Sequence, residues 1–196
     1  NKSVRESFSY AFGYATFIDS VVNGFGAQLQ GPVPVGMFGH DDDLYMYNYN
    51  LTKAAEFWNL AMADGWLDGV LANNSDDLTI YYNSGNTVRE AACLLLKDGI
   101  EEMLDNATYG AIQPANPLTI TIQPLEWSSY LFQVRNKQLP IFFLGWAPDY
   151  ADPDNYVGPF VKSTGTYPNR IGLGISDGWD AAEVDGWISD AAQSAS

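Results

Sequence analysis

The pattern of apolar and polar positions predicts helices early in the chain. Apolar residues recur at helical spacing across residues 4–22, which predicts a first helix. Asn50 stands before a second periodic stretch as a suitable N-cap, and Gly65 follows that stretch as a stop signal. Residues 26–49 carry glycines and prolines without a sustained period. We therefore expect an ordered excursion there, without helix or strand.

Three strand patterns follow, with a helical pattern between consecutive strands. The strand patterns are β-branched, strictly alternating or uniformly apolar, and they lie at residues 78–82, 117–122 and 141–144. The helices between them are predicted over about residues 87–104 and 125–137. Strands joined through helices are typical of parallel sheets with right-handed crossovers. The predicted fold class is α/β, a largely parallel or mixed sheet flanked by helices, in one domain over residues 1–196.

The third strand and the loop after it form the most distinctive stretch. Residues 141–144 are apolar without alternation, which predicts a strand buried on both faces and lying in the middle of the sheet. The loop over residues 145–156 combines aromatic rings with the carboxylates of Asp149, Asp152 and Asp154. Open α/β sheets bind ligands outside the carboxyl ends of their strands. This loop is therefore the predicted binding site.

Beyond the loop, the pattern predicts two further helices. A short helix is expected over residues 154–161, followed by a loop over residues 165–174. A last helix begins at about Trp179, with apolar residues at helical spacing as far as Ala191.

Composition and charge exclude several classes of protein. A chain of 196 residues with 46% hydrophobic and 17% charged residues is typical of a globular domain. Only 9 Lys and Arg stand against 24 Asp and Glu, a net charge of −15, so nucleic acid is excluded as a partner. The single cysteine, Cys93, lies among apolar residues and is predicted to be a core residue rather than part of a disulfide framework.

The loop sequence G-W-x-x-D-Y-x-D-P-D-N-Y at residues 145–156 resembles the signature loop of family 5 extracellular solute-binding proteins. These are the dipeptide-binding and oligopeptide-binding components of ABC importers. Further segments resemble the family in the right order, at residues 4–8, 18–26, 31–37, 49–65 and 184–191. The resemblance covers one lobe of such proteins. One departure is the segment from Ala11 to Tyr14, where the family has A-I-D-R, and it calls the local helix into question.

The resemblance implies a fold, a location and a role. The fold would be the C-terminal lobe of a type II periplasmic-binding-protein-like fold. The protein would be a non-enzymatic monomer without a cofactor, closing with a second lobe over a peptide or similar solute and delivering it to an ABC permease. It would be extracytoplasmic and anchored to the membrane through an N-terminal region outside this chain, both of whose ends we expect to be cuts.

The resemblance also implies roles for the loop residues. In peptide-binding members, the acid three residues after the G-W tryptophan pairs with the peptide's α-amino group, and Asp149 occupies that position here. Trp146, Ala147 and Tyr150 would line the same site, the two rings through apolar and cation–π contacts. Spacing alone equally allows Asp149 or Asp152 to cap the following helix. The residues expected to shape the loop are Asp152, Pro153, Asp154 and Asn155.

A metal site in the loop finds no support in the spacing. An EF-type calcium loop needs glycine and glutamate at its sixth and twelfth positions, and counted from Asp152 these positions hold Val157 and Ser163. We therefore predict no metal.

Two rival functions remain open. A member of the same family could bind an oligosaccharide or a metal complex instead of a peptide. A glycoside-active enzyme could use Glu126 and Asp149 as its two carboxylates. A hydrolase triad is unsupported, because His40 is the only histidine and is expected to be a surface loop residue.

Overall fold

A computed structural model describes residues 1–69, 77–171 and 179–194. The chain divides into two compact units. Unit 1 comprises Asn1–Gln28, Tyr47–Gln133 and Gln138–Leu144. Unit 2 comprises Leu29–Met46, Val134–Lys137 and Gly145–Ser196. No helix in the described ranges is both long and apolar enough to cross a membrane.

The elements alternate between helix and strand in the predicted order. The α-helices with both ends in the described ranges are α1 (Lys2–Ala11), α2 (Tyr14–Thr16), α3 (Leu51–Ala63), α4 (Thr87–Asp105), α5 (Trp127–Arg135), α6 (Asp154–Phe160), α7 (Thr166–Ile171) and α8 (Ala181–Ser194), and residues 66–69 are also helical. The strands are β1 (Asp77–Asn83), β2 (Thr119–Leu125) and β3 (Ile141–Phe142). A π-helical turn covers Phe17–Val21 and a 3₁₀ turn covers Ala107–Tyr109.

The strands form a parallel sheet in the order β2-β1-β3, which confirms the α/β prediction. Leu78 pairs with Ile120, and Ile80 lies between Ile122 and Ile141 in the register of its two neighbours. The amide of Phe143 donates to the carbonyl of Tyr81 at 3.0 Å and extends the β3 pairing by one bond. Strand β1 is therefore the central strand of the described sheet.

The prediction that the third strand lies in the middle of the sheet is wrong. Strand β3 is two residues long, only half-buried, and at the edge of the described sheet. Its rings are covered from the faces: Phe142 packs edge-on against Tyr130, and Phe143 lies 5.9 Å from the ring of Phe12. An uninterrupted apolar run indicates that both faces of a strand are covered. It does not indicate whether the strand has one neighbouring strand or two, and so whether it lies at the edge or in the middle of the sheet.

Unit 1 is held together by one continuous hydrophobic core. Strand β1 contributes Leu78 and Ile80, and α3 contributes Trp58, whose indole N–H donates to the carbonyl of Ile112 at 2.9 Å. Cys93 lies within this core, as predicted, and burial raises the pKa of its thiol to about 12. The thiol is therefore a packing group rather than a nucleophile.

The prediction of one continuous helix over residues 4–22 is wrong. Helix α1 ends at Ala11, and Phe12 adopts an extended backbone before α2 and the π-helical turn. The break directs the Phe12 ring toward the rings of Tyr14 and Phe17, at centroid distances of 5.0 and 5.9 Å. It falls in the segment from Ala11 to Tyr14 that departs from the family pattern.

The predicted signals around α3 are confirmed. Asn50 caps the helix by accepting a hydrogen bond from the amide of Lys53 at 3.0 Å. Gly65 follows the helix with φ +70°, a left-handed conformation that favours glycine. Residues 26–49 form bends and turns without helix or strand, as expected.

Unit 2 contains one helix that the sequence analysis missed. Helix α7 lies where a loop was predicted over residues 165–174, and residues 172–174 of that prediction fall outside the described ranges. Pro168 lies in the first turn of α7, where backbone amides have no hydrogen-bond partner within the helix. Its missing amide proton therefore does not destabilise the helix, although proline is more often found in loops. Helices α6 and α8 lie where short and final helices were predicted.

Candidate functional site

The loop between β3 and α6 is fixed in place through Trp146. Its indole N–H donates to the carbonyl of Asn155 at 3.0 Å. Its ring packs edge-on against Phe160 of α6 and Tyr167 of α7, at centroid distances of 5.9 and 6.2 Å, and those two rings stack on each other at 4.4 Å. Trp146 is nevertheless 37% exposed, so the residue both supports the loop and presents a surface to solvent.

The carboxylate of Asp149 is exposed on this loop. The Asp149 amide donates to the side-chain oxygen of Asn155 at 3.2 Å, and Asn155 is only 7% exposed. The buried side-chain amide of Asn155 therefore holds the backbone at Asp149, while the Asp149 carboxylate is exposed to solvent. Among the residues that the structure describes, none donates a hydrogen bond to that carboxylate.

The other acidic residues of the loop are occupied within the loop itself. The carboxylate of Asp152 accepts from the amide of Asp154 at 2.9 Å, across Pro153 at the start of α6. The carboxylate of Asp154 accepts from the hydroxyl of Tyr150 at 3.2 Å. Of the two capping candidates, only Asp152 bonds an amide of α6, and it does so from the position before the N-cap residue, Pro153.

The remaining predicted site residues lie on the exposed side of the loop. The side chain of Tyr150 is 53% exposed, and its ring orientation is set by the bond to Asp154. Ala147 is also exposed and adds no bulk beside Trp146. The loop thus presents two rings, a methyl group and one unpaired carboxylate.

The electrostatics of the loop favour a cationic partner. The ion pairs within 4 Å in the described ranges include Lys2 to Glu6, His40 to Asp42 and Lys97 to Glu101, and these three lie outside the loop. The loop therefore carries uncompensated negative charge on a chain whose net charge is −15. An approaching ammonium group gains Coulomb energy and finds a free acceptor.

The same acids do not form a metal centre. Across the described ranges, no group of three His, Cys, Asp or Glu side chains is placed to hold a metal ion.

Glu126, the acid proposed for a glycosidase, is engaged as the cap of α5. Its carboxylate accepts from the amides of Ser128 and Ser129 at 2.8 and 3.2 Å, and from the Ser128 hydroxyl. These bonds, led by the one from the Ser128 hydroxyl, lower the pKa of Glu126. A glycosidase acid needs a raised pKa so that it can donate a proton. The geometry of Glu126 therefore speaks against the enzymatic alternative.

Sequence reasoning missed a group at the carboxyl ends of β1 and β2. The Arg89 guanidinium bonds to the side chain of Asn83 and lies 5.9 Å from the Trp127 ring centroid. Trp127 stacks on Tyr130 at 6.0 Å and remains nearly half exposed. A sheet order of β2-β1-β3 places the topological switch beside β1, where such sheets bind ligands. The available signal was an aromatic residue soon after a strand pattern, but Trp127 falls within the helix predicted over residues 125–137.

The groove found in unit 1 lies along α5 rather than at the acidic loop. Its volume is about 490 Å³, and it is lined by Ser128, Ser129, Phe132, Gln133 and Gln138. The lining contains hydrogen-bonding groups and one ring but no charged side chain. It therefore offers no anchor for an ionic ligand.

His40 lies in a loop, but its side chain is not at the surface as expected. The side chain is 8% exposed, and both of its ring nitrogens have partners within unit 2. Both partners, Val33 and Asp42, lie in the same irregular segment as His40, and the types of residue in that segment do not reveal these contacts.

Comparison with known proteins identifies the class. The family described as bacterial extracellular solute-binding proteins, family 5 Middle, matches residues 1–168. The chain belongs to this family, which confirms the resemblance carried by the loop. It is a family of binding proteins rather than enzymes.

Individual relatives agree with this assignment. Heme-binding protein A of Haemophilus influenzae is 26% identical over 191 residues, covering 97% of this chain and 31% of the relative. The Escherichia coli protein named "Probable D,D-dipeptide-binding periplasmic protein DdpA" is 22% identical over 183 residues, covering 93% of this chain and 30% of the relative. The chain thus spans about a third of the length of the curated relatives it matches.

The fold is shared with a solved peptide complex. The structure of the oligopeptide-binding protein AppA from Bacillus subtilis in complex with a nonapeptide superposes with a TM-score of 0.63 at 21% identity. The superposition covers 97% of this chain and 35% of AppA. The architecture is therefore that of the periplasmic-binding-protein-like fold.

Proposed function

We propose that this chain supplies one α/β lobe of the substrate-binding component of an ABC importer. The component captures a peptide or a similar small solute between two lobes and delivers it to membrane permease subunits. It works as an extracytoplasmic monomer tethered to the membrane through a region outside this chain. Family membership and relatives named for peptide, dipeptide and heme binding support this role.

The observation that carries the proposal is the unpaired, exposed carboxylate of Asp149. Its backbone is held by Asn155, so the carboxylate is positioned before a ligand arrives. A peptide α-amino group placed there gains a charge-assisted hydrogen bond, which contributes about 1.5–3 kcal/mol when the site is shielded from water. Closure of a second lobe over the loop supplies that shielding and is stabilised by the bridging ligand.

The residues around Asp149 suit the same ligand. The exposed part of Trp146 offers an apolar and cation–π surface, and Tyr150 offers a second ring. Ala147 leaves room for a backbone to approach. Asp152, Pro153, Asp154 and Asn155 shape the loop and hold these groups in position.

The metal-complex alternative is weaker on the described residues. A haem or similar complex is commonly held through an imidazole, and the only histidine, His40, has both ring nitrogens engaged. An oligosaccharide would bind through the exposed rings without needing Asp149. The two ligand classes therefore differ in whether the carboxylate matters.

The test is Asp149→Asn in the full-length polypeptide that carries this segment. Isothermal titration calorimetry with di- and oligopeptides is expected to show at least a tenfold loss of affinity, because an amide cannot compensate the ammonium charge. Asp190→Asn, the same charge change at an exposed position of α8, should leave affinity unchanged.

Changes to the ligand test the role of Asp149 separately from the question of which class of ligand binds. N-acetylation of the peptide should weaken binding to the wild type and change little in the Asp149→Asn protein. Equal affinities of the two proteins for free-amino peptides would remove the anchor role. Binding of oligosaccharides or hemin with no binding of peptides would instead refute the peptide assignment.

A further inference from the structure

His40 connects two ends of a long irregular segment in unit 2. The segment runs through Leu29–Met46 and contains neither helix nor strand. The Nδ1 of His40 lies 2.8 Å from the carbonyl oxygen of Val33, and its Nε2 lies 3.0 Å from the Asp42 carboxylate. The imidazole is 8% exposed, whereas the Asp42 side chain is 83% exposed.

The hydrogen-bond geometry specifies the protonation state. A carbonyl oxygen and a carboxylate oxygen can only accept hydrogen bonds. A neutral imidazole has one N–H and can satisfy only one of them, whereas an imidazolium has two. Both contacts are therefore hydrogen bonds only when His40 is protonated.

The charged groups around His40 all favour the cation. On its own segment these are Asp41 and Asp42, whose negative charges raise the pKa of His40. The neighbouring element approaches this segment through an uncharged residue, Pro153, whose Cγ lies 4.0 Å from where a Gly39 Cβ would be. The carbonyl of Val33 has the largest effect in raising the pKa of His40 above 6.5, and Asp42 adds to it, while desolvation opposes it.

We propose that His40 is a pH-sensitive latch that, as an imidazolium, ties Val33 to Asp42 and so fixes the segment over residues 29–46. Loss of one ring proton leaves one acceptor unpaired and releases the exposed Asp42 end. The segment carries the exposed side chains of Val35, Phe38 and Leu44, so release frees an apolar stretch. The latch is thus closed in mildly acidic surroundings and open in alkaline ones.

The direction with pH follows from the raised pKa. The folded chain holds the His40 proton more tightly than the unfolded chain. The contribution of the latch is fully present below the unfolded value of about 6.5 and is lost as pH rises through the higher folded value.

Nuclear magnetic resonance tests the protonation directly, because the chain has one histidine and hence one imidazole signal set. In the ¹⁵N-labelled chain we expect both ring nitrogens to be protonated at pH 6 and to titrate above 6.5. Asp42→Asn should lower the titration midpoint. Asp43→Asn removes the same charge one residue away and should leave it unchanged, since Asp43 does not contact the ring. A neutral tautomer at pH 6, or equal midpoints in the two variants, would overturn the proposal.

Hydrogen exchange tests the release. The amides of Met37 and His40 donate to the carbonyls of Pro34 and Met37 at 3.2 and 3.1 Å, so they report on the order of the segment. Their protection factors should fall several-fold between pH 6 and pH 9 in the wild type. In His40→Gln, which cannot titrate, they should be equal at the two pH values. The same pH dependence in both proteins would contradict the latch, whatever the midpoint.

Discussion

The two units of this chain are held together by different forces. Unit 1 packs a parallel sheet against helices around one buried apolar cluster that includes Trp58, Ile80 and Ile100. In the described part of unit 2, the contacts are mostly stacked rings and side-chain hydrogen bonds to the backbone, such as Trp146 to Asn155 and Ser163 to Asp185. The proposed anchor, Asp149, belongs to the second kind of region. Apolar burial builds the scaffold, whereas directional bonds position the groups that meet a ligand.

The largest difference between the two units is expected when one tryptophan in each is replaced by alanine. Trp58→Ala removes a ring with no solvent exposure and its bond to Ile112, so the free energy of unfolding should fall by about 3–5 kcal/mol. Trp187→Ala, on a helix of unit 2 with the ring 60% exposed, should change it by less than about 0.5 kcal/mol. Urea denaturation followed by circular dichroism measures both, and comparable losses would show that the core does not dominate.

Two glycines within helices should respond with opposite signs. A Cβ on Gly99 of α4 would lie 1.9 Å from the backbone oxygen of Ala11, so Gly99→Ala must push α1 away and should cost about 1–3 kcal/mol. A Cβ on Gly186 of α8 meets no atom within 4 Å, so Gly186→Ala should stabilise the helix by about 0.5–1 kcal/mol. Thermal or urea unfolding checks both variants. A neutral Gly99→Ala would mean that α1 is not held tightly against α4.

A smaller loss of stability than for Trp58→Ala is expected at the buried side-chain amide that supports the loop. Asn155→Ala removes the acceptor for the Asp149 amide and should lower the free energy of unfolding by about 1 kcal/mol. Asn48→Ala, at an exposed position, serves as the control and should be close to neutral. A loss comparable with that of Trp58→Ala would show that unit 2 also depends on a buried network, and the contrast between the units would disappear.

Much of the fold was predictable because local signals and burial agree over long elements. Periodicity and capping residues predict α3, with its Asn50 cap and the Gly65 that follows it, and they predict the last helix. The β-branched and aromatic residues of β1 likewise predict a strand. The errors fall where tertiary contacts override a pattern. The first helix breaks at Phe12 because its ring packs among other rings, and β3 looks central because helices and rings cover its faces.

The candidate site was predictable only in part. The order of residues around Trp146 and Asp149 pointed to the loop. It could not show that Asp152 takes the capping bond while the Asp149 carboxylate stays unpaired, because spacing allowed both. The stack of Arg89 on Trp127 was equally hidden, since it joins residues far apart in the chain.

The sequence by itself determined the family, the α/β class and the acidic, aromatic character of the loop. These follow from the order, period and charge of neighbouring residues. The tertiary structure alone decided which strand is central, which aspartate is free, and that His40 meets two acceptors at once. Such properties depend on the three-dimensional path of the backbone and on how the side chains pack along it, and the local pattern of residue types does not encode either.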